Sequence, residues 1–158
     1  MDYLWSPWRY AYVTQEVPQK GCIFCTKAQQ SKDEENLVLS RGAYNFVLLN
    51  LFPYTCGHLM IAPYQHIGEL SLADEATWME MTQLTRKAEQ ALRKAYHPDG
   101  INLGMNLGKS AGAGIVDHIH MHVLPRWQAD SNFLTTIGET RVLPEALLDT
   151  YQRLKPFL

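Results

Sequence analysis

Residues 118–124 read HIHMHVL. In an extended strand alternate side chains share a face, so His118, His120 and His122 line one side over about 13 Å. Ile119, Met121 and Val123 turn to the other side and can pack on a core. A core has no use for three adjacent polar rings, each needing partners. A solvated polar sheet face is the plain reading of such a run, and a three-histidine metal site is a sharper one. A third is covalent catalysis: the ordinary imidazole pKa leaves a neutral nucleophile available near pH 7.

Two further segments carry chemistry. Cys22 and Cys25 form a CxxC pair in CIFC, and Cys56 stands alone. Three cysteines do not suit a disulfide framework, so the pair points to metal or thioredoxin-like redox chemistry in a reducing compartment. Directly before the triad lies GKSAGAG, residues 108–114. Its backbone N–H groups, at Gly112, Ala113 and Gly114 above all, can approach a phosphate without interference from Cβ atoms.

The elements that must hold these residues follow from periodicity. Residues 44–49 (YNFVLL) and 58–62 (HLMIA) read as strands, joined by the turn-rich NLFPYTCG, with Pro63 ending the second. SKDEEN, residues 31–36, is a polar loop between the cysteine segment and the first strand. Ser71 opens a helix, with Asp74 completing a capping box. Leu72, Ala76, Met79, Ala88, Ala91 and Ala95 carry its apolar stripe to Tyr96, and HPDG stops it. His97, before a proline, reads as turn chemistry. Residues 101–106 and 118–124 are further strands, the latter ended by Pro125. Pro144 suits the first turn of a final helix through about Leu154. With no regular βαβ alternation, the order reads as α+β with an antiparallel sheet.

A length of 158 residues fits one domain, and the formal net charge of −2 argues against a broad nucleic-acid surface. No apolar run approaches the roughly 20 residues of a membrane span. MDYLWSPWRYAYV at the start has no apolar signal core, so a cytoplasmic location is expected and neither membrane nor nucleic acid is an expected partner.

HIHMHVL, together with NFVLLNLFPYTCGHLMIAPYQH upstream, resembles the histidine triad superfamily from CIFC through the triad. That resemblance implies a two-layer α+β fold: about five antiparallel strands, one long helix and a C-terminal helix. It also implies one histidine triad domain over 1–158, with a zinc knuckle near 20–30 and a helical extension near 144–155. A homodimer is implied, formed around the long helix and residues 101–106. The implied activity is nucleotidyl transfer or hydrolysis through a nucleotidyl-His120 intermediate, formed by attack on the α-phosphate. His122, on the same face, would donate to a phosphate or leaving oxygen, and His58 would contribute from the neighbouring strand. Asn50 matches the position that contacts the nucleoside sugar, and Asn106 is similar to a phosphate-contacting asparagine. For both, turn hydrogen bonding is the plainer use.

The resemblance also gathers Cys22, Cys25, His66 and His118 into a Cys2His2 set suited to a structural zinc. YLWSPWRYAYV and PRWQADSNFLTTIGETRVLPE resemble the prokaryotic diadenosine tetraphosphate phosphorylase-like branch. The implied reaction takes diadenosine tetraphosphate and inorganic phosphate to ADP and ATP. Hydrolysis of a dinucleoside polyphosphate or nucleoside phosphoramidate is the alternative, and a non-catalytic nucleotide-binding module the alternative of another class. The fragile-histidine-triad hydrolases carry a glutamine four residues before the first triad histidine, where this chain has Gly114. Trp127 or Phe133 could stack on a base. Lys109, Arg126 and Arg141 could favour a polyphosphate. Trp5, Trp8 and Arg9 are equally suited to packing.

Overall fold

The computed structural model describes residues 21–128, 130–138 and 142–158. Five strands form one antiparallel sheet: β1 (Val38–Arg41), β2 (Asn45–Leu49), β3 (Leu59–Pro63), β4 (Gly100–Gly104) and β5 (Met121–Arg126). Their spatial order is β1-β2-β3-β5-β4. The helices are α1 (Ile23–Gln29), α2 (Glu75–Tyr96), α3 (Phe133–Thr136) and α4 (Leu147–Leu154).

β2 and β3 are buried along their whole length rather than at alternate residues, because the sheet is covered on both faces. Val47, Leu49, Leu59 and Ile61 pack with Met81, Ala88, Ala91 and Leu92 of α2. Phe46, Leu48, Met60 and Ala62 pack with Phe24 of α1. The small cysteine-bearing segment is therefore a second cover, and it closes the face opposite the long helix.

The helix start differs from the sequence reading. Asp74, not Ser71, is the N-cap, its Oδ1 accepting from the Thr77 N–H at 2.7 Å. Ser71 lies in a separate 3-10 turn, Leu70–Leu72. The apolar stripe is also out of phase at this end. Leu72 and Met79 are 57% and 53% exposed, while Thr77, Met81 and Thr85 face the core. Thr85 is tolerated there because its hydroxyl donates to the Met81 carbonyl at 2.8 Å. His97 ends α2 in the left-handed region, at φ 46°, which bears out its reading as turn chemistry.

Three boundaries are corrected. The triad strand begins at Met121, so only His122 of the three histidines lies in the ladder; His118 and His120 enter it. The Ile119 N–H, between them, donates to the Ile67 carbonyl at 2.7 Å. Pro125 does not end β5 but pairs with Ile101 inside it. β3 pairs with β5 only between Met121 and Val123, so the proline lies past the three-stranded part of the sheet. Pro144 does not open α4, whose N-cap is Ala146. The short strand β1 and the single turn α3 were not expected. Among the described residues no helix is long and apolar enough to cross a membrane.

Candidate active site and metal centre

The loop from Asn50 to Gly57 places His58 at the mouth of β3, and β5 brings His122 beside it. The His58 Nδ1 accepts from the Tyr54 N–H at 3.1 Å, with the Asn50 side-chain amide at 3.3 Å. Both partners are donors, so Nδ1 carries no proton and the ring proton sits on Nε2. That Nε2–H donates to His122 Nδ1 at 2.8 Å. The proton of His122 is thereby left on its Nε2, which is buried and has no partner among the described residues. An orphaned buried donor is costly and rare.

His120 has the opposite tautomer. Its Nδ1–H donates to the His118 carbonyl at 3.0 Å, which leaves the lone pair on Nε2. The His120 and His122 rings meet edge to face with centroids 4.7 Å apart. Adjacent rings, one offering a lone pair and the other a donor, supply the two functions that attack on an anionic centre needs.

The rings are neutral for the same reason that they are buried. Burial, then the neighbouring His122 and His120, pushes the His58 pKa down to about 3. Burial and His120 push His122 down to about 4. Burial also lowers His120, against the opposing effect of its bond to the His118 carbonyl. A nucleophilic imidazole must be unprotonated, and the downward shift of His120 favours that form.

Two flanking aromatics escaped the sequence reading. Tyr54 tilts over His58 and His122 at 4.6 and 5.7 Å. Phe24 contacts His120 at 4.9 Å and His118 at 5.1 Å. Phe24 could have been found, since an aromatic between two cysteines of one ligand pair must travel with them.

The ligating atoms of Cys22, Cys25, His66 and His118 all lie within 4.8 Å of one another. Cys22 Sγ and Cys25 Sγ are 3.2 and 3.6 Å from His118 Nδ1. His66 Nδ1 is 3.4 Å from Cys25 Sγ and 3.3 Å from His118 Nδ1. Tetrahedral zinc bonds imply edges of about 3.6 Å between sulfur and nitrogen and about 3.4 Å between nitrogens. His118 Nε2–H donates to the Pro63 carbonyl at 2.9 Å, which leaves Nδ1 free to ligate. The residues fit a tetrahedral ion.

The remaining candidates are placed differently. Asn50 Oδ1 accepts from the Phe52 N–H at 2.9 Å, an Asx turn that uses half of its amide locally. The side chain of Asn106 makes no hydrogen bond among the described residues. In the Gly-rich loop the Gly112 and Ala113 N–H groups already donate to the carbonyls of Lys109 and Gly108, at 3.0 and 3.3 Å. Of the three loop residues expected to present amides, only Gly114 is without such a bond. Arg126 is occupied: it donates to Asp130 at 2.6 and 2.9 Å and to Asn102 at 2.7 Å. Trp127 packs edge-on against Tyr96, and Phe133 is 71% exposed. Lys109 is exposed on its turn. Trp5, Trp8, Arg9 and Arg141 lie outside the described residues.

A HIT-domain profile matches residues 31–129. The chain belongs to the histidine triad (HIT) family. It is 40% identical over 155 residues to a protein named AP-4-A phosphorylase from Mycobacterium tuberculosis, covering 93% of this chain and 79% of that one. Among solved structures it is similar to a zinc-bound histidine triad family protein from Mycobacterium smegmatis. That likeness has a TM-score of 0.69 at 25% identity, over 87% of this chain and 92% of that one. A histidine triad nucleotide-binding protein from Sulfolobus tokodaii shares the fold, with a TM-score of 0.63 at 24% identity over 86% and 88% of the two chains. The α+β, five-stranded expectation is borne out by the sheet and by these neighbours.

Proposed function

We propose that this HIT protein is a phosphorylase that cleaves diadenosine tetraphosphate with inorganic phosphate to ADP and ATP. The observation that carries it is the pair of opposed tautomers on adjacent rings: an Nε2 lone pair on His120 and an unpartnered Nε2–H on His122. His120 Nε2 attacks the α-phosphorus, the bond to the α–β bridging oxygen breaks, and ATP leaves. His122 Nε2–H hydrogen-bonds to the leaving oxygen as its charge grows. A phosphate oxygen then attacks the adenylyl-His120, the P–N bond breaks with its electrons returning to Nε2, and ADP leaves. His58 touches neither nucleotide; it fixes the tautomer of His122.

The choice of substrate and of phosphate over water is supported by the likeness to the mycobacterial AP-4-A phosphorylase and by Gly114, which leaves open space where a side chain would stand. The test is product analysis with labelled phosphate. We expect ATP and ADP in equal amounts, label only in ADP, and no turnover without phosphate. AMP as the main product in both conditions would make the enzyme a hydrolase.

Three further parts belong to this reading. The Cys2His2 set holds one structural zinc, which ties α1 to the triad and takes no part in the displacement. Two copies pair through β4, an edge strand with Leu103 55% exposed, since an uncovered edge invites pairing. Light scattering showing only monomer at micromolar concentration would contradict that. The enzyme works in the cytoplasm, in keeping with three unpaired cysteines; fractionation that placed it outside the reducing compartments would refute this.

A further inference from the structure

The Phe24 ring touches both a metal-site histidine and the histidine placed as nucleophile, and the mechanism above gives it nothing to do. It lies between Cys22 and Cys25 on α1 and is 2% exposed. It belongs to a buried cluster with Val38, Phe46, Leu48, Met60 and Ala62. Its ring also reaches His118 at 5.1 Å, tilted 49°, and His120 at 4.9 Å, tilted 40°.

Among the described residues the His120 ring has one hydrogen bond, from Nδ1–H to a carbonyl only two residues back. A single bond of that kind permits the imidazole to pivot about the N–H···O axis, and the pivot swings Nε2. Its faces must therefore be fixed by packing, and the rings that pack on it are His122 and Phe24. His122 is itself locked by His58. Phe24 is locked by the core behind it and by the two cysteines flanking it in the chain.

We propose that Phe24 is a positioning residue for the nucleophile: it is the mechanical link through which an intact Cys2His2 centre holds His120 in its attacking orientation. This rests on the reading of His120 as nucleophile. A displacement of the attacking atom by about 1 Å can cost roughly 100-fold in rate, so loosening one of two supporting rings should be visible in kcat. KM should be spared, because Phe24 is only 2% exposed and offers almost no surface to a ligand. The metal should be spared too, because Phe24 supplies no ligand atom.

The test compares Phe24→Leu with Leu154→Ala, both made in the zinc-loaded full chain. Leu154 is fully buried in the other core cluster, with the long helix and away from Phe24, so it reports the cost of lost core packing without the link. We expect Phe24→Leu to lower kcat about tenfold or more, with KM within twofold and one zinc per chain retained. Leu154→Ala should lower the melting temperature at least as much and leave kcat unchanged. The second readout is independent of turnover. Nitrogen-15 NMR of the histidine rings should show wild-type His120 as a single Nδ1–H tautomer. In Phe24→Leu its two ring nitrogens should shift toward an average, as they should when zinc is chelated from the wild type. An unshifted His120 with unchanged kcat would overturn the proposal. So would an equal loss of kcat in both variants, or a loss that tracks zinc content. Where the conservative leucine variant of Phe24 folds poorly, Phe24→Met carries the same expectations. Persistent turnover by His120→Ala would refute the nucleophile assignment instead, while the ring-nitrogen shifts would still report the packing link.

Discussion

His58 offers a direct test of the neutral-imidazole site. It is 1% exposed, and its folded pKa is about 3 against about 6.5 for an unperturbed histidine. A depressed folded pKa means that the unfolded chain binds the extra proton as pH falls. The contribution of His58 is therefore fully present above about pH 6.5 and is lost progressively toward pH 3. Once the unfolded histidine is protonated, the slope approaches about 1.4 kcal/mol per pH unit for each such group. Between pH 7 and pH 5, His58 alone then removes about 2 kcal/mol, a sizeable part of an ordinary domain's stability. The perturbation is His58→Gln, whose amide can replace Nε2–H as donor to His122 but cannot titrate. The assay is urea unfolding at half-unit steps from pH 7.5 to 5. The wild type should lose stability faster than the variant by close to one proton's slope. Taking the difference removes the acid-driven loss of metal, which both proteins share. The variant will be the weaker at pH 7, having lost the acceptor for the Tyr54 N–H. Parallel curves across this range would refute the claim that His58 is held neutral by burial.

Other outcomes follow from single contacts. Glu80 accepts from the Ala43, Tyr44 and Asn45 N–H groups at 2.6, 2.7 and 2.7 Å and thus clasps the β1–β2 turn to α2. Glu80→Ala should cost about 2–4 kcal/mol by urea unfolding, allowing for water at a half-buried site; a loss under about 0.5 kcal/mol would deny the clasp. Its carboxyl pKa is depressed by the Asn45 side-chain bond and the amides, against burial, so that stabilisation holds above the unfolded value and fades as pH falls through the folded one. Cys22→Ser should release zinc and lower the melting temperature by roughly 10 °C, checked by metal analysis and calorimetry; metal-free protein melting as the wild type does would exclude a stabilising site. At Gly57, where φ is +77° and a Cβ would stand 3.1 Å from Leu92 and Pro125, Gly57→Ala should destabilise and shift the loop that feeds Tyr54 to His58. Thermal melting checks it.

The chemistry was more legible in the sequence than the scaffold. His118, His120 and His122, and the Cys22–Cys25 pair, announce themselves because few folds need those residue types at those spacings, whereas His66 joined the cysteines only through the family resemblance. Yet the division of labour within the triad is a matter of tautomers, set by carbonyls and amides that have no sequence signature. The His118 carbonyl fixes His120, and the Tyr54 N–H fixes His58. The phase of α2 was misread because Thr77 and Thr85 are buried while Leu72 and Met79 are not; a hydroxyl bonded back to its own helix is cheap to bury. β1 was missed because VLSR is four residues long, with a register shift inside it. Glu80 reads as an ordinary helix-surface charge until the turn that it clasps is in place. Arg126 could equally favour a polyphosphate or be a surface charge on the sequence; its bonds to Asp130, four residues on, and to the distant Asn102 appear only once β4 and β5 are paired.

The central claim is that Nε2 of His120 takes the nucleotide. The direct measurement is mass spectrometry of the protein quenched in alkali after mixing with diadenosine tetraphosphate without phosphate, so that only the first half-reaction runs, followed by digestion and sequencing of the triad peptide. The account predicts AMP attached to His120 and to no other residue, ATP released in equal amount, and loss of the adduct as ADP when phosphate is added. It predicts no adduct and no turnover for His120→Ala. AMP on another side chain, or near-normal turnover by His120→Ala, would contradict it.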